Sequence, residues 1–382
     1  MNVGALLTVL ERFAGRRVLV MGDVVADQYV QGVATRLSRE APVPVVRVQS
    51  EELRLGGAAN VAHNLAALGA DVCLLGVVGA DATGAEVLRL ARTAGIDVGG
   101  VSIKAHRATP RRTRIVAGSD DDAPGDAAAG QQLVRLDHDP AAPIGRLVAD
   151  ALREALDDLF PRIGALAIAD YGLGTLTPEL TERVRVLAGA LGAVVTVDSR
   201  FDLGAFRGVT AVTPSEAEAA ALCGLRAPLE GDAVAAATAL RVRERLEVGC
   251  VLLTRGRRGM AVALPGGAVQ LLPAGTAPAP AGTTTAAAPT AEARVVDATG
   301  AGDTVQATFA LALAAGADPL AAAQLANEAA ALVVRKPGTA TVNSTELFRA
   351  LCARAPLLAG ADDDVPARGN GEPLPPPADG AR

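Results

Sequence analysis

The stretch DATGAGDT, Asp297 to Thr304, sets a Gly300-Ala301-Gly302 step directly ahead of Asp303 and runs on into VQATFALALAAG, a helix-forming segment. A helix N-terminus offers unpaired backbone N–H groups and a partial positive charge. Small residues let an anion approach those groups closely. The N–H groups around Gly300, Ala301 and Gly302 therefore read as an anion hole, with Asp303 beside it. A carboxylate in that place makes little sense for binding phosphate alone, because like charges repel. It makes sense if a neutral hydroxyl lies between: Asp303 takes the proton as general base while the hole holds a phosphoryl group in line. Taken alone, Asp303 reads equally well as a first-turn residue favoured by the helix dipole, an effect of about 0.3–1 kcal/mol.

Other phosphate-binding patterns are excluded. The chain contains no Gly-Lys dipeptide and so no Walker A loop, and GAGDTV carries Val305 where a dinucleotide fingerprint needs its last glycine. With a formal net charge of −6 and no basic run, the chain carries no nucleic-acid footprint. Lysine occurs only at Lys104 and Lys336. The four cysteines, Cys73, Cys223, Cys250 and Cys352, lie far apart without a C-x-x-C pair, which predicts free thiols in a reducing compartment rather than zinc or disulfides. No apolar run reaches the roughly 18 residues of a membrane span, and the N-terminus reads as a short amphipathic helix rather than a signal peptide. The expectation is a cytoplasmic protein.

Half of the 382 residues are apolar, but only six Phe and two Tyr are among them, so the core must be built from Ala, Val and Leu. Short continuous apolar runs recur: VLVMGD, VCLLGVVG, ALAIADYG, VVTVDSR, TAVTPSE and CVLLTRG. Each ends in a polar or glycine-rich turn, and helical patterns such as AANVAHNLAALG and TPELTERVRVLAGALG lie between them. Continuous apolarity means strands buried on both faces, and alternation with helices predicts an α/β, doubly wound, mostly parallel sheet. Ligands then gather at the carboxyl ends of the strands. Residues 28–50 and 101–137 show β patterns without helices and read as a small secondary sheet, a lid. GSDDDAPGDAAAG, inside the second segment, and 274–291 read as loops, and 356–382 as a tail too poor in apolar residues to fold. Residues 1–355 form the expected domain.

DATGAGDT resembles the signature of the ribokinase-like, or phosphofructokinase-B, sugar kinases. Two further motifs stand in the family's order: GDVVADQY with Asp23 and Asp27, and GGAANVAHNLAALG from Gly56 to Gly69. The resemblance, over roughly residues 10–350, implies an ATP-dependent kinase with Mg2+, in which Asp303 is the base. It makes Asp23, Asp27, Gly56, Gly57 and Asn60 the sugar-binding residues. On their own, the aspartates read as turn chemistry and the glycines as a capping turn. His63 reads as a packing residue without metal-ligand company. On the nucleotide side the resemblance implies Ser215, Glu218, Thr254, Gly256, Gly259 and Asn327, with Gly338 near the base. Glu218 belongs to the Mg2+ region, and Asp297 lies where many members hold a monovalent cation such as K+.

Within the family, TRLSREAPVPVVRV, QQLVRLD and KPGTATV are similar to segments of heptose 7-phosphate kinases. Transfer to the anomeric hydroxyl of such a sugar phosphate is the expectation, with Arg36, Arg112 and Arg114 as candidate partners of its phosphate. Bifunctional relatives continue into an adenylyltransferase domain; the expectation here is the kinase half alone. Three departures stand out: Ser215 replaces the Asn of N-x-x-E, and Leu173 and Arg200 stand where heptose kinases carry lysines. A kinase for another sugar or a nucleoside, and a sugar-binding regulator that lost turnover, are the competing readings. The exposed edge of a lid sheet would also suit a homodimer.

Overall fold

The computed structural model describes residues 2–118, 130–275 and 295–359. Most of the GSDDDAPGDAAAG and 274–291 loops, and the tail from 360, lie outside the described residues.

Nine strands form the main sheet, numbered here in chain order. They are β1 (Arg17–Gly22), β4 (Asp71–Gly79), β5 (Val101–Lys104), β8 (Ala165–Asp170), β9 (Val194–Ser199), β10 (Ala211–Val212), β11 (Cys250–Thr254), β12 (Met260–Ala263) and β13 (Val269–Leu272). Their order is β13-β12-β11-β10-β9-β8-β1-β4-β5. All pairings from β11 to β5 are parallel, and at the other edge β12 runs antiparallel between β11 and β13.

The apolar runs are continuous because each strand feeds two cores. Val18 and Val20 of β1 pack into one helical layer, Leu19 and Met21 into the other. The first layer holds α1 (Val3–Glu11), α2 (Ala58–Ala67), α3 (Ala82–Thr93), α8 (Ala301–Ala314), α9 (Pro319–Val333) and α10 (Ser344–Ala359). The second holds α4 (Arg146–Leu159), α5 (Pro178–Leu191), α6 (Glu216–Cys223) and α7 (Asp232–Leu246). Local signals set the boundaries: α5 begins on a Thr177 cap with Pro178 in its first turn and stops at Gly192 in the left-handed region, φ 62°. Helix α8 is buried from Asp303 to Ala312, which explains its run of small residues.

Four strands make the second sheet, in the order β3-β2-β6-β7. They are β2 (Val24–Leu37), β3 (Pro44–Gly57), β6 (Arg111–Gly118) and β7 (Gln131–His138). The expected lid is present, with one correction: Val101–Lys104 pairs in parallel with β4 and is an edge strand of the main sheet. Because β2 follows β1 after a single residue, the lid rises directly from the strand ends.

At the C-terminus, α10 continues to Ala359, past the expected start of the tail at 356. It is tied to α9 by an ion pair between Arg354 and the buried Glu328, whose Oε2 has no hydrogen-bond partner. Burial pushes the Glu328 carboxyl up to about 7, against the opposing charge of Arg354. A carboxyl with a raised folded-state pKa contributes stability that is present below its unfolded value and lost as pH rises through the folded value. The apparent Tm of the wild type is therefore expected to fall relative to Glu328→Gln between pH 5 and 8; parallel melting curves across that window would count against this account.

Candidate active site

The chain order reverses between β1 and β8, and the carboxyl ends of these strands and β9 open onto one cavity. Its volume is roughly 450 Å³, and its walls include Asp27, Arg112, Arg114, Arg135, Tyr171, Arg200, Asp297 to Gly300, Gly302 and Asp303. The lid supplies one side and the entrance of α8 the other.

Gly300 is the N-cap of α8, with φ 77°. A Cβ there would stand 2.6 Å from Asn60 Nδ2. The Ala301 amide donates to Ala298 O and the Thr304 amide to Gly300 O. The Ala301 amide is thus taken within the turn, while Gly300, Gly302 and Asp303 line the cavity.

Asp303 is 3 % exposed. Its Oδ1 accepts from the Tyr171 hydroxyl at 2.5 Å and its Oδ2 from Asn60 Nδ2 at 2.6 Å. Burial raises its pKa, while the Tyr171 bond, the Arg200 charge and the Asn60 bond lower it. Asn60 is itself fixed, because Asn64 donates to its carbonyl and side-chain oxygens and Thr304 donates to Asn64. Asn60 was expected on sugar hydroxyls; it is buried and its amide is engaged by Asp303 instead.

Of the paired aspartates only Asp27 reaches the cavity, ion-paired to Arg114. Burial raises the Asp27 pKa and Arg114 opposes the rise. Asp23 is fully buried and accepts the backbone N–H groups of Tyr171, Leu173 and Thr175 at 2.9, 3.0 and 3.1 Å. Its carboxylate pins the loop after β8, which corrects the expected sugar contact. Gly57 lines the cavity with φ 56°, and Gly56 makes room for Asp27, since a Cβ there would lie 2.4 Å from Asp27 Oδ2.

The lid register brings the arginines together. Asp27 lies opposite Arg112 and Tyr29 opposite Arg114, while Arg112 and Arg114 lie opposite Asp137 and Arg135 on β7. Arg112 and Arg135 both pair with Asp137. Arg36 is exposed near the far end of β2 and is not part of the cavity wall, a second correction. Arg135 and Arg200 complete the wall in its stead. Four arginines thus line the cavity, three of them oriented by carboxylates of the lid region, and a guanidinium fork suits a phosphate.

The nucleotide-side candidates lie farther along the sheet, at the ends of β10 and β11. Ser215 and Glu218 form a capping box on α6, and Ser215 bridges to Thr254. Gly256 opens a 3-10 turn at φ 56° with open space at its Cβ position. Gly259 has a different cause: a Cβ there would meet Leu272 O at 2.0 Å, so it serves the β12–β13 edge. Asn327 donates to Pro273 O. Gly338 donates its N–H to Asp297 Oδ2 and packs against Arg54 and Tyr29, away from the place expected of it beside a base. The other Asp297 oxygen accepts from Thr299 N, so this carboxylate shapes the turn before α8.

Among the described residues no cluster of three or more His, Cys, Asp and Glu could hold a metal ion. Two carboxylates nevertheless suit a hard divalent cation already bound to a nucleotide: burial and the charge of Glu218 push the Asp198 carboxyl up to about 8. A cation between them would relieve that repulsion.

Tyr171, Arg135 and Asp198 escaped the sequence reading. The available signal was position: Tyr171 and Asp198 stand at the carboxyl ends of the strands beside β1.

A model of the pfkB family of carbohydrate kinases matches residues 16–141 and 158–346. The chain is 38 % identical over 338 residues to the bifunctional protein HldE of Caulobacter sp. (strain K31), covering 88 % of this chain and 62 % of that one. With HldE of Azotobacter vinelandii it shares 40 % identity over 344 residues, 90 % of this chain and 65 % of that protein. The chain thus spans a little under two thirds of the length of these relatives. Its fold is similar to that of Arabidopsis thaliana ribokinase complexed with ribose and ATP, with TM-score 0.65, 20 % identity, and coverage of 88 % of this chain and 99 % of that one. Escherichia coli phosphofructokinase-2 in complex with potassium superposes with TM-score 0.69 at 17 % identity, covering 89 % and 99 %. The chain belongs to the pfkB family of carbohydrate kinases.

Gly300→Ala tests the site's construction. The left-handed conformation costs an Ala about 1 kcal/mol or more, and the new methyl displaces Asn60 from Asp303. Phosphotransfer is expected to fall by about 100-fold with the fold intact by circular dichroism; a variant within threefold of wild type would refute this packing account.

Proposed function

We propose that this chain transfers the γ-phosphoryl group of ATP to the anomeric hydroxyl of D-glycero-D-manno-heptose 7-phosphate, giving the 1,7-bisphosphate. The observation that carries the reading is a buried carboxylate at a helix N-terminus, beside a cavity lined by four arginines. Resemblance to heptose 7-phosphate kinases in TRLSREAPVPVVRV, QQLVRLD and KPGTATV supports it, and the HldE relatives are consistent with it.

In this reading Asp303 accepts the hydroxyl proton as the acceptor oxygen bonds to the γ-phosphorus. The bond to the bridging oxygen breaks and ADP leaves with its electron pair. The amides of Gly302 and Asp303 hold the charge on the transferred group. Asp27 orients the sugar, and the lid arginines Arg112, Arg114 and Arg135 hold its 7-phosphate. Ser215, Thr254, Gly256 and Asn327 border the nucleotide. Asp198 and Glu218 are the residues that would hold Mg2+, which neutralises ATP oxygens when bound. A monovalent cation beside Asp297 is carried by the resemblance, and potassium is named for the E. coli neighbour. Closure of the lid would exclude water, the competing nucleophile. A second copy of the chain is the proposed occupant of the outer face of the lid, where Val134 and Leu136 are 42 % and 45 % exposed.

A kinase for another sugar is the alternative. Asp303→Asn is expected to lower kcat by about 10²–10⁴-fold with substrate binding kept, and a variant within threefold of wild type would remove Asp303 from the role of base. Measured by coupled ADP release, heptose 7-phosphate should exceed unphosphorylated heptose by at least about tenfold in kcat/KM, or roughly 1.4 kcal/mol. Arg112→Met and Arg135→Met should each narrow that gap. A wild type that prefers the unphosphorylated sugar gives the assignment to the alternative.

A further inference from the structure

Two residues of the cavity wall stand just past the ends of adjacent strands, Tyr171 after β8 and Arg200 after β9. The Arg200 guanidinium lies over the Tyr171 ring, 4.2 Å from its centroid, and its Nη2 donates to the Tyr171 hydroxyl at 3.4 Å. That hydroxyl in turn donates to Asp303 Oδ1. The Tyr171 backbone is anchored by its N–H to Asp23. One side chain therefore touches both the base and a cation at the entrance of α8.

Burial opposes the charge of Arg200, while Tyr171, Asp303 of α8, Asp198 of β9 and Glu218 of α6 favour it. A Cβ on Gly302 would lie 3.9 Å from Asp198 Oδ2, so this acidic group borders the first turn of α8. The lid arginines are each held on the lid side by a carboxylate: Arg112 by Asp137 and Asp139, Arg114 by Asp27, Arg135 by Asp137. Leu173, two residues after Tyr171, is buried and brings no charge. Arg200 is the cavity arginine supplied by the main sheet, on the side of the nucleotide candidates.

We propose that Tyr171 is a positioning residue for phosphoryl transfer: its ring holds Arg200 at the entrance of α8 as the cation facing the transferred phosphoryl, and its hydroxyl orients Asp303 toward the acceptor. The inference rests on the assignment of Asp303 as base. Arg200 forms no bond in the step; it offsets charge that spreads over the phosphoryl oxygens as the group moves. A guanidinium stacked on an aromatic face is held at little cost in rotamer freedom, which an unsupported arginine would lack.

The test uses the full chain, ATP, and whichever sugar or sugar phosphate the wild type turns over fastest. Tyr171→Phe keeps the ring and loses only the hydroxyl; kcat should fall about tenfold with both KM values within about twofold. Tyr171→Leu and Arg200→Met should each lose about 100-fold in kcat. The double variant should be no more than about threefold worse than either, because the ring acts through Arg200. Arg200→Lys should recover at least about fivefold over Arg200→Met, since a charge is restored without the planar fork.

A Tyr171→Phe enzyme with wild-type kcat overturns the hydroxyl's role, and losses that multiply in the double variant overturn the ring's. Should Tyr171→Leu fail to fold by circular dichroism, Tyr171→Phe with the Arg200 pair still decides. An active Asp303→Asn enzyme would overturn the assignment of the base and this inference with it, whereas an active wild type with unperturbed Tyr171→Phe overturns this inference alone.

Discussion

A carboxylate buried at the start of α8 is the constraint around which the site is organised. Burial by itself disfavours the charged form of Asp303. Two donors, Tyr171 and Asn60, and the charge of Arg200 offset its desolvation. Each donor is then fixed by a further contact: Asn60 by Asn64 and Thr304, Tyr171 by Asp23 and Arg200. Small residues follow from this crowding. Gly300 exists because Asn60 occupies the space a side chain would fill, and Gly56 because Asp27 does. The glycines that look like room for a ligand are largely room for the site's own polar groups.

The lid obeys a second constraint. A strand shows alternate residues to opposite faces, and the pairing of β2, β6 and β7 in register stacks Asp27, Arg112 and Asp137 in one row and Tyr29, Arg114 and Arg135 in the next. Opposite charges lie across the first row. The second row places Arg114 over the Tyr29 ring, 5.4 Å from its centroid, with Arg54 5.2 Å from it as well. The lid thus presents cations already oriented by aspartates and an aromatic ring, which lowers the ordering cost of gripping an anion.

Much of this was legible in the residues. The doubly wound sheet follows from continuous apolar runs separated by helical periods, and the glycine-capped entrance of α8 follows from DATGAGDT. Partners were harder to read than positions. Asp23 and Asp27 look alike in GDVVADQY, yet one follows β1 at a fully buried turn and the other projects from β2 into the cavity. Arg36 was misplaced for a reason of distance: it stands on the same strand as Asp27 but nine residues on, roughly 30 Å along an extended chain. Val101–Lys104 was assigned to the wrong sheet because four β-forming residues do not say which neighbour they pair with. Tyr171 carries no motif at all; only its three-dimensional neighbours give it a role.

The bonds that close the site span nearly the whole chain. Asn60 and Asp303 are 243 residues apart, and Arg54, which donates to Pro337 O from the lid, is 283 residues from its partner. Contacts of such separation form only after the intervening segments have found their places, because loop closure must be met before they stabilise anything. During synthesis the strands β1, β4 and β8 can assemble while α8 has yet to emerge. A partly made chain would then hold much of the sheet and the lid strands, but neither Asp303 nor the turn at the start of α8. The cavity is closed only when the C-terminal helices dock, so a chain still missing them lacks the helix entrance on which the proposed reaction depends.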